Sequence, residues 1–553
     1  MVSIPQVILM QELSLQRSDS SLGTTARDEA GLLSKVQSDS TLRTTAQKGS
    51  SLLRVQSSKG ELSESETFVS QRQADEPIIV DWDDPLDPGN PRNWTKAAKW
   101  AAAFTVSAFT FISPISSSMV APAAGQIAQD FHITNTVEIA LTISVFILGY
   151  TVGPLFLGPL SEIYGRTIII HISNIFFIAW NIGCGFAQSK GQLIAFRFLS
   201  GIGGSAPLSI GGAVLADLWV PEERGQAIAI YSLAPLLGPA IGPVAGAWIA
   251  QLSTWRWVFH STSITAAVIQ VCGFLFLKET YAPLLLDRRA KTLQASMDAE
   301  KGNRRPVRTV YEIGQKKTTK EILKQAVFRP FQLFIQEPMI QLLGVYLAFV
   351  YGVVYLVLTV MPEIFANVYH EPIGIAGLHY ISLAVGLTIA SQTNAYYLDK
   401  LYVYLKKRNN GVGEPEFRLP CVMPGTILLP IGLLMVGWGA QEHVFWLVPD
   451  IGFALIGAGI ILVFQGMQTY VIDAFTTYAA SALAAVSCFR SLAGFGFPLF
   501  AEAMFDALGY GVGCTILAAF AVGVGCPSIW LFWKYGARIR AMSRHAQKET
   551  AAT

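Results

Sequence analysis

Charge is what this sequence lacks most. Only 14% of its 553 residues are Asp, Glu, Lys or Arg, against roughly 25% in soluble domains. With 52% apolar residues, a chain this long has too little polar surface to cover a soluble core. The shortage is uneven. Residues 1–96 are polar and rich in Ser, Gln, Thr and Arg, whereas the rest alternates long apolar runs with short polar loops. That pattern predicts an all-α integral membrane protein with many spans. No strong apolar run precedes Ala97, so a cleaved leader is not expected. Cysteine is scarce too. All six lie in or beside apolar runs without metal-like spacing and read as packing residues. A metal cluster, an HxxxxD-like pair and a nucleotide loop are missing from the polar segments. Neither enzyme activity, metal, cofactor nor nucleic-acid partner is expected.

About 20 apolar residues cross a bilayer as a helix. Twelve such runs are present, near 97–121, 138–157, 168–187, 192–216, 227–251, 257–277, 338–362, 375–397, 419–439, 446–470, 481–504 and 511–533. Lys and Arg gather on one side: Arg166, Arg224, the cluster from Lys278 to Arg329, Lys400 to Arg418, and the tail from Lys534 to Lys548. The other side holds almost none beyond Lys190 and Arg256. This asymmetry predicts both termini in the cytosol. The long loop 278–337 divides the chain into six spans plus six, as in duplicated transporters. The predicted organisation is a tail at 1–96 (disordered to about 75, with a Trp/Pro-rich lead-in at 76–94), a bundle at 97–277, the loop at 278–337, a second bundle at 338–533 and a tail at 534–553. A faint repeat agrees: GPLSEIYGRT (Gly158–Thr167) follows the second span and LDKLYVYLKKR (Leu398–Arg408) the eighth.

The segment SLAPLLGPAIGPVAGAWI (Ser232–Ile249) carries Pro235, Pro239 and Pro243, and Gly238, Gly242 and Gly246. In a soluble helix each proline costs about 3 kcal/mol and each glycine about 1. In hydrocarbon the unfolded alternative is also costly, and neighbouring helices re-satisfy the freed groups. Four residues advance about 400°, so the glycines form one stripe on which another backbone can approach closely. The segment reads either as a packing groove or as a helix that shapes a cavity and limits leak.

Gly238, Gly242, Pro243 and Gly246 also match a motif of the form GxxxGPxxGG, with Ala247 at its last glycine. This resembles the antiporter motif of drug:proton antiporters in the major facilitator superfamily. Gly158, Glu162, Gly165 and Arg166 look like that superfamily's loop motif, its usual Asp replaced by Glu162. The resemblance implies that the glycines permit a tight turn and that the acid rests against the start of helix eleven, latching the halves. The lead-in EPIIVDWDDPLDPGNPRNW (Glu76–Trp94), KETYAP after helix six and PEFRLP (Pro415–Pro420) resemble fungal multidrug and polyamine-type antiporters. The PESPR-like end of helix six found in sugar carriers is absent. The implied fold is the major facilitator fold, twelve helices as two pseudo-symmetric six-helix bundles.

Arg197 lies inside the fourth span, where a lone charge is functional by default. It matches the family's arginine linked to proton coupling. An acidic partner is missing, since the first six spans have no central Asp or Glu. Arg490, in the eleventh span, would pair with carboxylate-like or phosphate-like groups, or with Asp473 or Asp399. Asn181, His260, Tyr351, Tyr355, Gln392 and Gln468 are further substrate-binding candidates, in a large and mostly apolar cavity. The expected function is proton-coupled efflux of small amphipathic organic compounds, such as toxins, fungicides or secondary metabolites, across the plasma membrane. The vacuolar membrane is the second location. Polyamine export, and proton-coupled import or sensing of an organic nutrient, are the alternatives. The partners are substrate, protons and lipid, and a monomer is expected to suffice.

Overall fold

The computed structural model describes residues 78–543 apart from 221, 222, 224, 300–305, 313–318 and 476–478. The predicted disordered tail, with Arg224, Arg544 and Lys548, lies outside them. Among the described residues, ten helices are long and apolar enough to cross a bilayer. One of them, Ser481–Met542, is broken at Gly509 (φ 75°, ψ 163°) and counts as two passes. The proline-rich Gly225–Leu252 stands outside those ten, with a shorter apolar part at Leu237–Leu252, and adds one more pass. The total is therefore twelve.

In the first half these are α1 (Lys96–Ser118), α2 (Thr136–Tyr164), α3 (Arg166–Gly185), α4 (Lys190–Leu218), α5 (Gly225–Leu252) and α6 (Arg256–Phe276). In the second they are α7 (Pro338–Glu363), α8 (Tyr380–Arg408), α9 (Met423–Gln441), α10 (Leu447–Ala474), α11 (479–508) and α12 (510–542). The starts follow from local chemistry. Thr95 and Asn135 side chains accept backbone N–H groups at the starts of α1 and α2, satisfying donors a helix cannot pair internally. The ends differ from expectation. Helices α2, α8 and α12 run on past the apolar runs, to Tyr164, Arg408 and Met542. Hydropathy marks the hydrocarbon thickness, whereas backbone hydrogen bonding continues beyond it.

The stretch read as a tight turn at Gly158 is still helix, and open space surrounds that glycine. The chain reverses at Gly165 alone, whose φ of 107° suits only glycine. The central segment is also more structured than a loop, with helices at Ala282–Ala299 and Thr319–Gln336. Strand β1 (Ile78–Val80) of the lead-in pairs in parallel with β2 (Val307–Thr309). Arg289 donates to Asp87 at 2.6 and 3.1 Å and covers the Trp82 ring at 5.0 Å. Those bonds, with the Gly89 amide, hold the Asp87 carboxyl down to about 2. Trp82 therefore docks on the central segment.

The two halves have different interiors. Around α7 to α12 the buried apolar residues form one continuous core, which also takes in Ile112, Phe146, Tyr150, Phe177 and Ala266 of the first half. The other buried apolar residues of the first half fall into two separate clusters, one about Phe109 and Leu215 and one about Trp255 and Phe259. Buried polar side chains of α1, α3 and α6 lie between, including Ser113, Ser116, Asn181 and Thr262. The face bearing the lead-in and central segment is called the basic face below, and the opposite one the far face.

Candidate functional site

The glycine stripe of α5 is packed against α1. A side-chain carbon at Gly238 would come within 2.8 Å of Pro114, and one at Gly242 within 2.8 Å of the Ile115 carbonyl. At Gly246 it would collide with the Met119 carbonyl. Ala247, where the motif's last glycine is expected, sits opposite Gly377 of the second half, so the missing space is supplied from across the interface. Prolines 239 and 243 are accommodated within an unbroken helix.

Helix α1 ends just beyond Pro114, at Ser118. Its last carbonyls have no partner within the helix. Arg197 supplies one. Its guanidinium donates to the Ser116 carbonyl at 2.8 Å and the Ser117 carbonyl at 3.1 Å, and to the Thr142 and Ile143 carbonyls of α2 at 3.1 and 2.9 Å. Phe146 covers it at 4.8 Å. The residue is completely buried. A cation at a helix C-terminus is also favoured by the helix dipole. No carboxylate of the described residues forms an ion pair with it.

A tyrosine layer joins the halves beside this cap. The hydroxyls of Ser113 and Tyr150 are 2.6 Å apart, and those of Ser117 and Tyr355 are 3.3 Å apart. Tyr351 meets Tyr355 edge to face, at 5.2 Å. Arg490 lies over Tyr351 at 4.6 Å and over Phe464 at 4.8 Å. Above the tyrosines, toward the far face, a cavity of about 290 Å³ opens between α2 and the segment that follows α1 (residues 121–125) on one side and α7 and α11 on the other. Its lining is apolar except for a few groups, among them Thr359, Asn367, Glu363 and Glu502.

On the basic face each half carries a clasp with the same plan. Arg166, at the start of α3, lies 3.6 Å from Asp217 near the end of α4 and 4.8 Å from the Tyr281 ring. Arg418, just before α9, lies 2.9 Å from Asp473 near the end of α10 and 4.3 Å from the Tyr402 ring. It also holds Asp399 of α8 at 2.7 Å. In each half the last helix is tied to the third as well. The Glu279 carboxylate accepts from the Arg166 and Thr167 amides at 3.0 and 3.2 Å, and Arg540 grips Glu416 with two bonds of 2.9 and 2.8 Å. The Arg–Asp tie between third and fourth helices recurs in both halves, as duplication predicts, whereas the rings differ, Tyr281 following α6 and Tyr402 lying in α8.

Residues 106–498 match the family described as Major Facilitator Superfamily. The chain belongs to the major facilitator superfamily. The efflux pump vrtL of Penicillium aethiopicum is 46% identical over 492 residues, covering 88% of this chain and 96% of that one. The MFS-type transporter penM of Penicillium rubens is 41% identical, covering 85% and 91%. The efflux pump radE of Floropilus chiversii is 40% identical, covering 86% and 87%. Among solved structures, the xylose transporter XylE from E. coli, in a partially occluded inward-open conformation, matches with a TM-score of 0.58 at 16% identity. That match covers 79% of this chain and 99% of XylE, and it shows the fold.

Within this superfamily fold the expected site residues are dispersed. Tyr351, Tyr355 and Arg490 come together, and Gln468 lies one turn from Phe464 on the same side of α10. Asn181 is buried elsewhere, tying α3 to α6 through Thr262 at 2.7 Å and Ser263 at 2.9 Å. His260 stands near the far-face end of α6 against Phe186 and Trp257, away from the cavity. Gln392 is exposed on the outer surface of α8. Glu162 is 53% exposed and 3.7 Å from Arg166, one turn along the same stretch. Among the described residues it makes no bond to the start of α11. Asp399 and Asp473 serve Arg418, not Arg490. Glu363 was not anticipated; after Pro362, at the close of an apolar run, it reads as a helix boundary.

Proposed function

We propose that this chain exports small amphipathic organic compounds in exchange for protons, working as a monomer. The basic face lies in the cytosol, and the membrane is the plasma membrane. The bundles 97–277 and 338–533 rock about the tyrosine layer, exposing the site to one side at a time. The export direction rests on relatives whose names are efflux pumps. The observation that carries the mechanism is the far-face cavity, built from both halves and apolar apart from a few groups that include Glu363 and Glu502. These two carboxylates face open space without a cationic partner among the described residues, and they are the groups proposed to take up the external proton. Arg197 then acts indirectly, by fixing the end of α1, from which the chain runs into the cavity wall at Ala121.

The test is efflux of a panel of dyes, fungicides and polyamines from vesicles with and without a proton gradient. Wild-type efflux should collapse when the gradient is dissipated. Glu363→Gln should retain substrate binding but lose most of the gradient-driven acceleration. Efflux indifferent to the gradient would remove proton exchange; efflux restricted to polyamines would narrow the substrate class.

A further inference from the structure

The ionic contacts leave one intramembrane cation unmatched. Arg166, Arg418 and Arg540 have carboxylates, and Arg197 has four carbonyls. Arg490 has neither among the described residues. It lies 11 residues from the start of α11, about 16 Å deep at 1.5 Å per residue, near the middle of a bilayer whose hydrocarbon is roughly 30 Å thick. Its Nε is buried without a hydrogen-bond partner, whereas the residue as a whole is only partly buried. The rings of Tyr351 and Phe464 offset part of the cost of holding a charge there, but a ring face cannot accept the in-plane N–H bonds of a guanidinium. A partly buried cation in that state favours any anion able to reach it. The planar fork of donors matches a carboxylate in two parallel bonds. The surrounding tyrosines, Phe464 and the half-buried Gln468 suit an apolar body beside that carboxylate.

We propose that Arg490 anchors a carboxylate of the transported compound, so that organic acids with an aromatic or alkyl body are preferred over their neutral esters. This rests on the carrier function proposed above and names its substrate class. The anion would approach from the basic face, beneath the tyrosine layer, and leave after the layer opens toward the cavity.

The full chain in lipid nanodiscs is titrated with 2-naphthoate and with methyl 2-naphthoate, read by energy transfer from tryptophan. Wild type should bind the acid at least tenfold more tightly than the ester. Arg490→Gln should lose that preference while ester affinity stays within about twofold. Arg490→Lys, which keeps the charge without the fork, should weaken acid binding severalfold and leave the ester unchanged. Equal loss for both probes would make Arg490 a packing residue and overturn the proposal, as would unchanged acid binding in the Lys variant or no acid preference in wild type. Vesicle export of neutral compounds separates the two claims. If wild type pumps them with the gradient yet shows no acid preference, the carrier function stands and the Arg490 assignment falls. If naphthoate binds as described but nothing is pumped, the assignment stands and the exchange mechanism falls.

Discussion

Each half of the molecule holds one arginine deep in the membrane, and the two are held in opposite ways. Arg197 is wrapped by four backbone carbonyls and is completely buried. Arg490 touches two aromatic rings and leaves its Nε unpaired. The same residue type within a span is therefore a structural cap in one half and an open valence in the other. An intramembrane charge marks a site worth examining, but its partners decide whether the site serves the fold or a ligand.

The sharpest way to break this comparison is to remove each cation. Arg197→Ala strips donors from four buried carbonyls and should cost about 3 kcal/mol or more, seen as poor folded yield and a lower Tm in detergent. Arg490→Ala should shift Tm little, because no hydrogen bond is lost. Comparable destabilisation by both would erase the distinction. A smaller effect is expected from Gly242→Leu, which forces α5 away from the end of α1 that Arg197 caps. Overpacking of this kind costs roughly 1–3 kcal/mol, and transport should fall more than tenfold while the tyrosine layer is displaced. Unchanged kinetics would reduce the stripe to a groove with slack. The smallest effect lies outside both bundles and acts as a control. Asp87 has its carboxyl lowered to about 2 from an ordinary value of 3.8 by Arg289 and the Gly89 amide. A depressed carboxylate stabilises above its unfolded value and loses that contribution as pH falls. Docking of the lead-in should thus persist near neutral pH and weaken only between about pH 4 and pH 2. Hydrogen exchange of residues 78–93 reads this, and Asp87→Asn should loosen the segment at all pH values without altering transport.

The number of helices was legible because hydrocarbon thickness imposes runs of similar length on every span. Their ends were not, since α2, α8 and α12 continue as helix where the apolar pattern stops. The four-residue period of Gly238, Gly242 and Gly246 announced close packing, but its partner α1 is more than 100 residues away, and local spacing carries no such address. Arg418 was hidden inside PEFRLP, which reads as a lead-in to α9. Only the fold brings it to Asp399 and Asp473 and reveals the counterpart of Arg166. Polar residue type within a span did not tell which way a side chain faces. That is why His260 and Gln392, chosen alongside Tyr351 and Tyr355, stand away from the cavity.

Proton exchange is tested most directly by purified protein in liposomes carrying an internal pH dye, with no imposed proton gradient. Substrate added outside should flow inward through wild type and drive protons outward, raising the internal pH. Glu363→Gln should abolish the rise. Substrate entry without any pH change in wild type would contradict exchange.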